Sequence, residues 1–153
     1  MTILKHQHLL TLRLTVDFAG MTSIGQTPAG LRRVAPVSGG TFSGERLNGI
    51  ALPGADWVIN RADSVMVIDV RLLLKTDDGA MIYLTYQGRF LAEPEAMARF
   101  AKGVVLDAGE YSLAISAKFE CGDPRYEWLN NVVAVGTGEQ TALGPVYSIF
   151  EVG

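Results

Sequence analysis

Val65–Arg89 reads VMVIDVRLLLKTDDGAMIYLTYQGR, and its pairing decides the fold. Val65–Thr76 and Ala80–Arg89 are long, β-rich runs separated by Asp77-Asp78-Gly79. Asp-Gly between two such runs signals a hairpin. A two-residue turn at Asp78-Gly79 would set Leu74 against Tyr83 and Leu72 against Thr85. A three-residue loop instead sets Leu74 against Ile82, Leu72 against Leu84 and Val70 against Tyr86. Because a one-residue slip moves every side chain to the other face, burial decides between them. The second register joins apolar to apolar and predicts Gly79 in the left-handed region. On the opposite face it aligns Asp69 with Gln87, Arg71 with Thr85 and Leu73 with Tyr83.

Working outward, Leu10, Leu12, Leu14, Val16 and Phe18 alternate with polar residues, the period of a half-buried strand. Ala19–Gly30 is expected as a long loop, the kind that often carries function. Arg32–Val37 and Thr41–Leu47 read as strands broken at Gly39-Gly40, and Trp57–Asn60 as a short strand after the Pro53-Gly54 turn. Glu93–Lys102 is the one convincing helix, stopped by Gly103. Glu110–Glu120 alternates again. Pro124–Asn131 is a turn or short helix, and Val132–Val135 and Val146–Val152 close the chain as strands. Many short strands, glycine-rich turns and one helix predict a single antiparallel domain over 1–153, a sandwich or a barrel.

Composition removes several function classes. Of 153 residues, 48% are hydrophobic and 19% charged, which excludes a disordered chain. The net charge of −3 has no basic run behind it, so no nucleic-acid partner is expected. No apolar stretch approaches the length of a membrane span. Met1–Leu14 lacks the pattern of a signal peptide, and Cys121 is the single cysteine, so a cytoplasmic chain is expected. His6 and His8 are the only histidines, too few with one thiol for the usual metal sites, so no metal is expected. Gly136-Thr137-Gly138 opens like a dinucleotide fingerprint, but Thr141 stands where the third glycine belongs and a strand follows. No cofactor is expected.

A series of motifs runs through nearly the whole chain. It comprises Thr27-Pro28-Ala29-Gly30, Arg32-Arg33, Gly39-Gly40-Thr41-Phe42, Gly44-Glu45-Arg46-Leu47 and Leu52-Pro53-Gly54-Ala55-Asp56-Trp57. Asp69-Val70-Arg71, Thr76-Asp77-Asp78-Gly79-Ala80 and Tyr126-Glu127-Trp128-Leu129-Asn130 follow. In this order it resembles the bacterial and fungal family known as domain of unknown function 3237. The resemblance implies a compact, calycin-like antiparallel β-barrel, usually a homo-oligomer; a dimer is the assembly expected for this chain. It implies no particular reaction.

The candidate site rests on strand parity. Met66, Ile68, Val70, Leu72 and Leu74 form one wholly apolar face. The other mixes Val65, Val67 and Leu73 with Asp69 and Arg71, a mixture expected in a partly hydrated pocket. Asp69, Arg71, Tyr83 and Glu45 are the expected catalytic groups. Arg32, Asp56, Trp57, Thr85, Tyr126, Trp128 and Asn130 are the expected ligand contacts. Of Arg32 and Arg33, one must point inward, where a guanidinium suits a carboxylate or enolate oxygen. Tyr126 and Trp128 either plug one barrel end or cover the pocket mouth. Asp56-Trp57 is either a turn with a packed indole or a stacking wall. A carboxyl, a phenol and an arginine suffice for isomerase, cyclase or lyase chemistry on a small oxygenated molecule. The rival expectation is a non-catalytic binding or structural barrel.

Overall fold

The computed structural model describes residues 1–153 as one closed, eight-position antiparallel β-barrel. The strands are β1 (His6–Val16), β2 (Thr22–Thr27), β3 (Gly30–Ser43), β4 (Asn48–Ala51), β5 (Gly54–Asn60), β6 (Met66–Thr76), β7 (Met81–Ala92), β8 (Tyr111–Cys121), β9 (Ala134–Gln140) and β10 (Pro145–Val152). One α-helix, α1 (Pro94–Ala101), follows β7, and two short 3-10 turns span Ala108–Glu110 and Glu127–Asn131. Ten strands fill eight positions because two pairs share a place beside β3. β1 and β2 lie end to end along one edge of β3, and β4 and β5 along the other. Pairing of β1 with both β3 and β10 closes the ring. No helix is long and apolar enough to cross a membrane.

The β6–β7 hairpin takes the three-residue register. Leu72 faces Leu84, Leu74 faces Ile82, and Gly79 sits at φ 91°. The Thr76 N–H donates to the Ala80 carbonyl and the Gly79 N–H to the Thr76 carbonyl, closing the loop. Thr76 Oγ1 donates to the Asp78 carboxylate, and Tyr126 donates to the same group from the far turn.

Two expectations are corrected. Ala19–Gly30 is not a structureless loop, since it contains β2. Both faces of β2 are exposed or half-exposed, so no apolar alternation marks it. Arg32–Val37 and Thr41–Leu47 are not separate strands, since β3 runs unbroken through Gly39-Gly40. Gly39 adopts φ 147°, and a Cβ on Gly40 would stand 2.0 Å from the Arg13 carbonyl oxygen. The two glycines let β3 bend against β1 where its register shifts, so they mark a kink rather than an end.

The barrel interior has two halves. Around the β6–β7 loop it is solid: Leu10, Leu12, Phe42, Leu74, Ile82, Leu84 and Leu129 are sealed from solvent. At the other end, α1 and the segment after it lie over the opening. Phe100 of α1 stacks on Phe90 at 4.9 Å between ring centroids, and Tyr111 stacks on Phe90 at 5.1 Å. Beneath them the interior is hollow.

Candidate active site

The hollow end encloses a cavity of about 360 Å3. Of its 25 lining residues, 18 are hydrophobic, so the few polar groups that reach it are conspicuous. They come from strands whose inward positions are otherwise apolar. β5 contributes Asp56 and Asn60 on either side of Val58, and β3 contributes Arg33 before Ala35 and Val37. β7 and β10 contribute Tyr86 and Tyr147. Gln140 and Thr141 stand at the rim, and Phe18, Met21, Met97 and Phe100 roof the space.

Asp56 is the titratable acid of this cavity. It lies opposite Ala35 on one side and Val70 on the other. Burial raises its carboxyl from 3.8 to about 7; the Asp69 backbone N–H, donating at 3.0 Å, opposes the rise, the nearby Asp69 charge adds to it, and Arg33 weakly opposes it. Tyr86 and Tyr147 meet edge to face with ring centroids 5.1 Å apart. Burial pushes both phenols above their ordinary range, and each feels the Asp56 charge. The cavity therefore presents a carboxyl that changes protonation near neutrality beside two phenols that stay protonated and can donate hydrogen bonds. Arg33 donates to Asn60 Oδ1 and, more weakly, to the Met21 sulfur at 3.6 Å.

A family model described as a protein of unknown function, DUF3237, matches residues 4–152. The chain belongs to the DUF3237 family. The UPF0311 protein RPA1785 of Rhodopseudomonas palustris is 30% identical over 140 residues, 91% of this chain and 92% of that one. The crystal structure of a conserved protein of unknown function from the same organism superposes with a TM-score of 0.94 at 28% identity, covering 100% of both chains. A β-barrel-like protein of Acinetobacter baumannii gives 0.85 at 34% identity, covering 100% of this chain and 98% of that one. A hydroalkoxylation enzyme of Penicillium herquei is more distant, 26% identical over 112 residues, 73% of this chain and 60% of that one.

Against this DUF3237 barrel, the expected site residues divide by face. Asp56 lines the cavity. Its neighbour Trp57 points outward, and of the two arginines Arg33, not Arg32, turns in. Asp69, Arg71, Arg32 and Trp57 do come together, but in an open groove on the outer wall with Ile24. Tyr83 is not part of that groove, so the expected common concavity with Tyr83 does not form. Tyr83 and Thr85 lie on the outer face of β7. The apolar face of β6 is the one that meets the cavity, through Met66, Ile68 and Val70. Val65, Val67 and Leu73 needed no pocket to explain them, because much of any protein surface is apolar.

The remaining candidates sit away from the cavity. Glu45 is exposed between β3 and β4. Tyr126 and Trp128 pack against the core, Tyr126 tied to the β6–β7 loop and Trp128 beneath the Arg46 guanidinium at 4.1 Å. They plug the solid end. Asn130 is occupied locally: its Oδ1 accepts from the Cys121 N–H, and its Nδ2 donates to the Cys121 and Glu127 carbonyls. Sequence reasoning left out Tyr86, Tyr147 and Asn60, and of the two arginines it weighed it chose Arg32 as the ligand contact where Arg33 is the one that turns in. The two tyrosines carried a usable signal, since each occupies an inward apolar position of an alternating strand where a phenolic oxygen needs a partner.

Proposed function

We propose that the cavity is the active site of an enzyme that moves a proton on a small, oxygenated, largely apolar molecule, as an isomerase, cyclase or lyase. Asp56 serves as the acid/base group, and Tyr86 and Tyr147 as donors to a substrate oxygen. The observation that carries this reading is a carboxyl held at about 7 by a mostly apolar cavity. A proton carrier works best when its pKa lies near the working pH, and walls of this kind strengthen every charge and dipole inside them. The distant Penicillium herquei relative supports the reaction class. Hydroalkoxylation adds an O–H across a C=C bond: a base takes the hydroxyl proton, the C–O bond forms, and a proton is returned to carbon. One carboxyl alternating between its two forms closes that balance with no oxidant or reductant. A second reading, a barrel that binds without reacting, draws on the same apolar walls.

Deuterium exchange separates the two. Purified protein in D2O is incubated with a panel of small phenolic ketones and enols, and incorporation at carbon is read by mass spectrometry. The active-site reading expects catalysed exchange with a pH midpoint near 7, at least about 100-fold slower in Asp56→Asn and within about twofold of wild type in Asp69→Asn. Exchange undiminished in Asp56→Asn would refute it. Tight binding across the panel with no exchange would favour the non-catalytic barrel.

A further inference from the structure

We infer that the cavity takes a planar aromatic anion, an arene bearing a carboxylate or phenolate oxygen, with that oxygen on Arg33 and the ring between the apolar walls. This rests on the cavity being the functional site, but not on its being catalytic.

Arg33 carries a full charge into a mostly apolar space and forms no ion pair there. Five ion pairs occur in the structure, formed by Arg46, Arg61, Arg99 and Arg125, and none involves Arg33. Its hydrogen-bond partners are a neutral amide, Asn60, and a thioether, Met21. Its Nε is buried with no partner at all. A guanidinium has five N–H donors in a fixed fork, so donors remain unused. Arg33 is half-buried, and withdrawing even part of such a group from water without a counter-charge is unfavourable. Asp56 lines the same cavity yet does not relieve it. It forms no ion pair with Arg33, and its carboxyl spends much of its time protonated near neutrality. While Asp56 is protonated the site is thus short of one negative charge, and a ligand anion would supply it through charge-assisted hydrogen bonds.

The walls name the rest of the ligand. Phe18, Phe100, Tyr86 and Tyr147 offer aromatic surface, and Met21 and Met97 offer polarizable sulfur that adapts to a ring. The volume lies within the usual range for small-molecule pockets. A simple aliphatic acid would leave most of this surface uncovered, and a sugar would bury hydroxyls against it. A flat aromatic acid satisfies both the walls and the charge.

The test is a ligand ladder read by isothermal titration calorimetry at about pH 6, below the Asp56 titration at about 7, so that this carboxyl is mostly protonated. The probes are 2-naphthoate, 2-naphthol and 2-naphthalenemethanol, matched in ring and differing in oxygen charge. 2-Naphthoate is expected to bind at least tenfold tighter than 2-naphthalenemethanol. The affinity of 2-naphthol relative to that of 2-naphthoate measured at the same pH should climb as the pH is raised through the ionisation of the naphthol, which identifies phenolate as an acceptable head. Arg33→Met should remove the tenfold preference while leaving 2-naphthalenemethanol within about threefold. Arg32→Met, on the outer face, should alter neither. The wild-type ladder decides the matter even if Arg33→Met folds poorly. Equal affinity for acid and alcohol, no binding of either, or a preference that survives in Arg33→Met would overturn the inference. Failure here leaves the exchange experiment on Asp56 untouched, and failure there leaves this ladder untouched.

Discussion

Asp56 and Asp69 stand on neighbouring strands, joined by one hydrogen bond from the Asp69 N–H to the Asp56 carboxylate at 3.0 Å, yet they occupy different solvents. Asp56 points into the barrel among valines and tyrosines, and burial lifts its carboxyl to about 7. Asp69 points out, into an open groove with Arg32 and Arg71. Nothing in residue type separates the two. Parity along the strand does: an odd or an even place in a period of two decides whether the same carboxyl is a solvated charge or a proton carrier.

The largest effect that can break this inside–outside contrast is steric. Leu72 is 3% exposed and Leu73 45% exposed on the same strand. Leu72→Ala should lose about 2–5 kcal/mol in urea denaturation, while Leu73→Ala should lose less than about 1 kcal/mol. Comparable losses would mean that β6 does not divide inside from outside.

A smaller effect concerns charge. The folded carboxyl of Asp56 titrates at about 7 and the unfolded one at 3.8, so protonation is favoured by folding. Stability from this group is complete below about pH 3.8 and is lost as pH rises through about 7. Asp56→Asn should therefore melt with wild type near pH 3.5 and above it at pH 8.5, by on the order of 2–4 kcal/mol. Asp69→Asn should stay within about 0.5 kcal/mol at both values. A variant Asp56→Asn that is less stable than wild type at pH 8.5 would place the ionised carboxylate in a favourable setting, contrary to an apolar cavity.

The smallest effect tests what sets the parity. Gly79 has a positive φ, and a Cβ there would meet nothing within 4 Å, so Gly79→Ala carries backbone strain alone. A loss of about 1 kcal/mol is expected by chemical denaturation. No loss would question the left-handed residue that holds the three-residue register.

The hairpin was legible because eleven alternating residues on β6 face a matching run on β7, and only one register hides both apolar sets. The barrel class was legible from the same alternation repeated in β1 and β8 and from the family motifs. The site was half legible. Asp56 was in view, but Arg32 and Arg33 sit in a stretch where Val34 and Pro36 are as apolar as Ala35 and Val37, so neither face of β3 declares itself. Only closure of the ring assigns Arg33 inward. Asp69 and Arg71 misled for the complementary reason: Val65, Val67 and Leu73 on their face look like pocket walls in the sequence, yet the valines are only half-buried on the outer wall and Leu73 is exposed. β2 was illegible because exposure on both faces leaves no period to read.

The central claim is that the barrel holds Asp56 as a proton carrier, and its carboxyl can be watched directly. Carbon-detected NMR of 13C-aspartate-labelled protein, with Asp56→Asn assigning the resonance, gives its titration curve. A midpoint near 7 is expected, against 3.8 for an ordinary aspartate. A midpoint near 3.8 would show a hydrated, ordinary carboxylate and would contradict the claim.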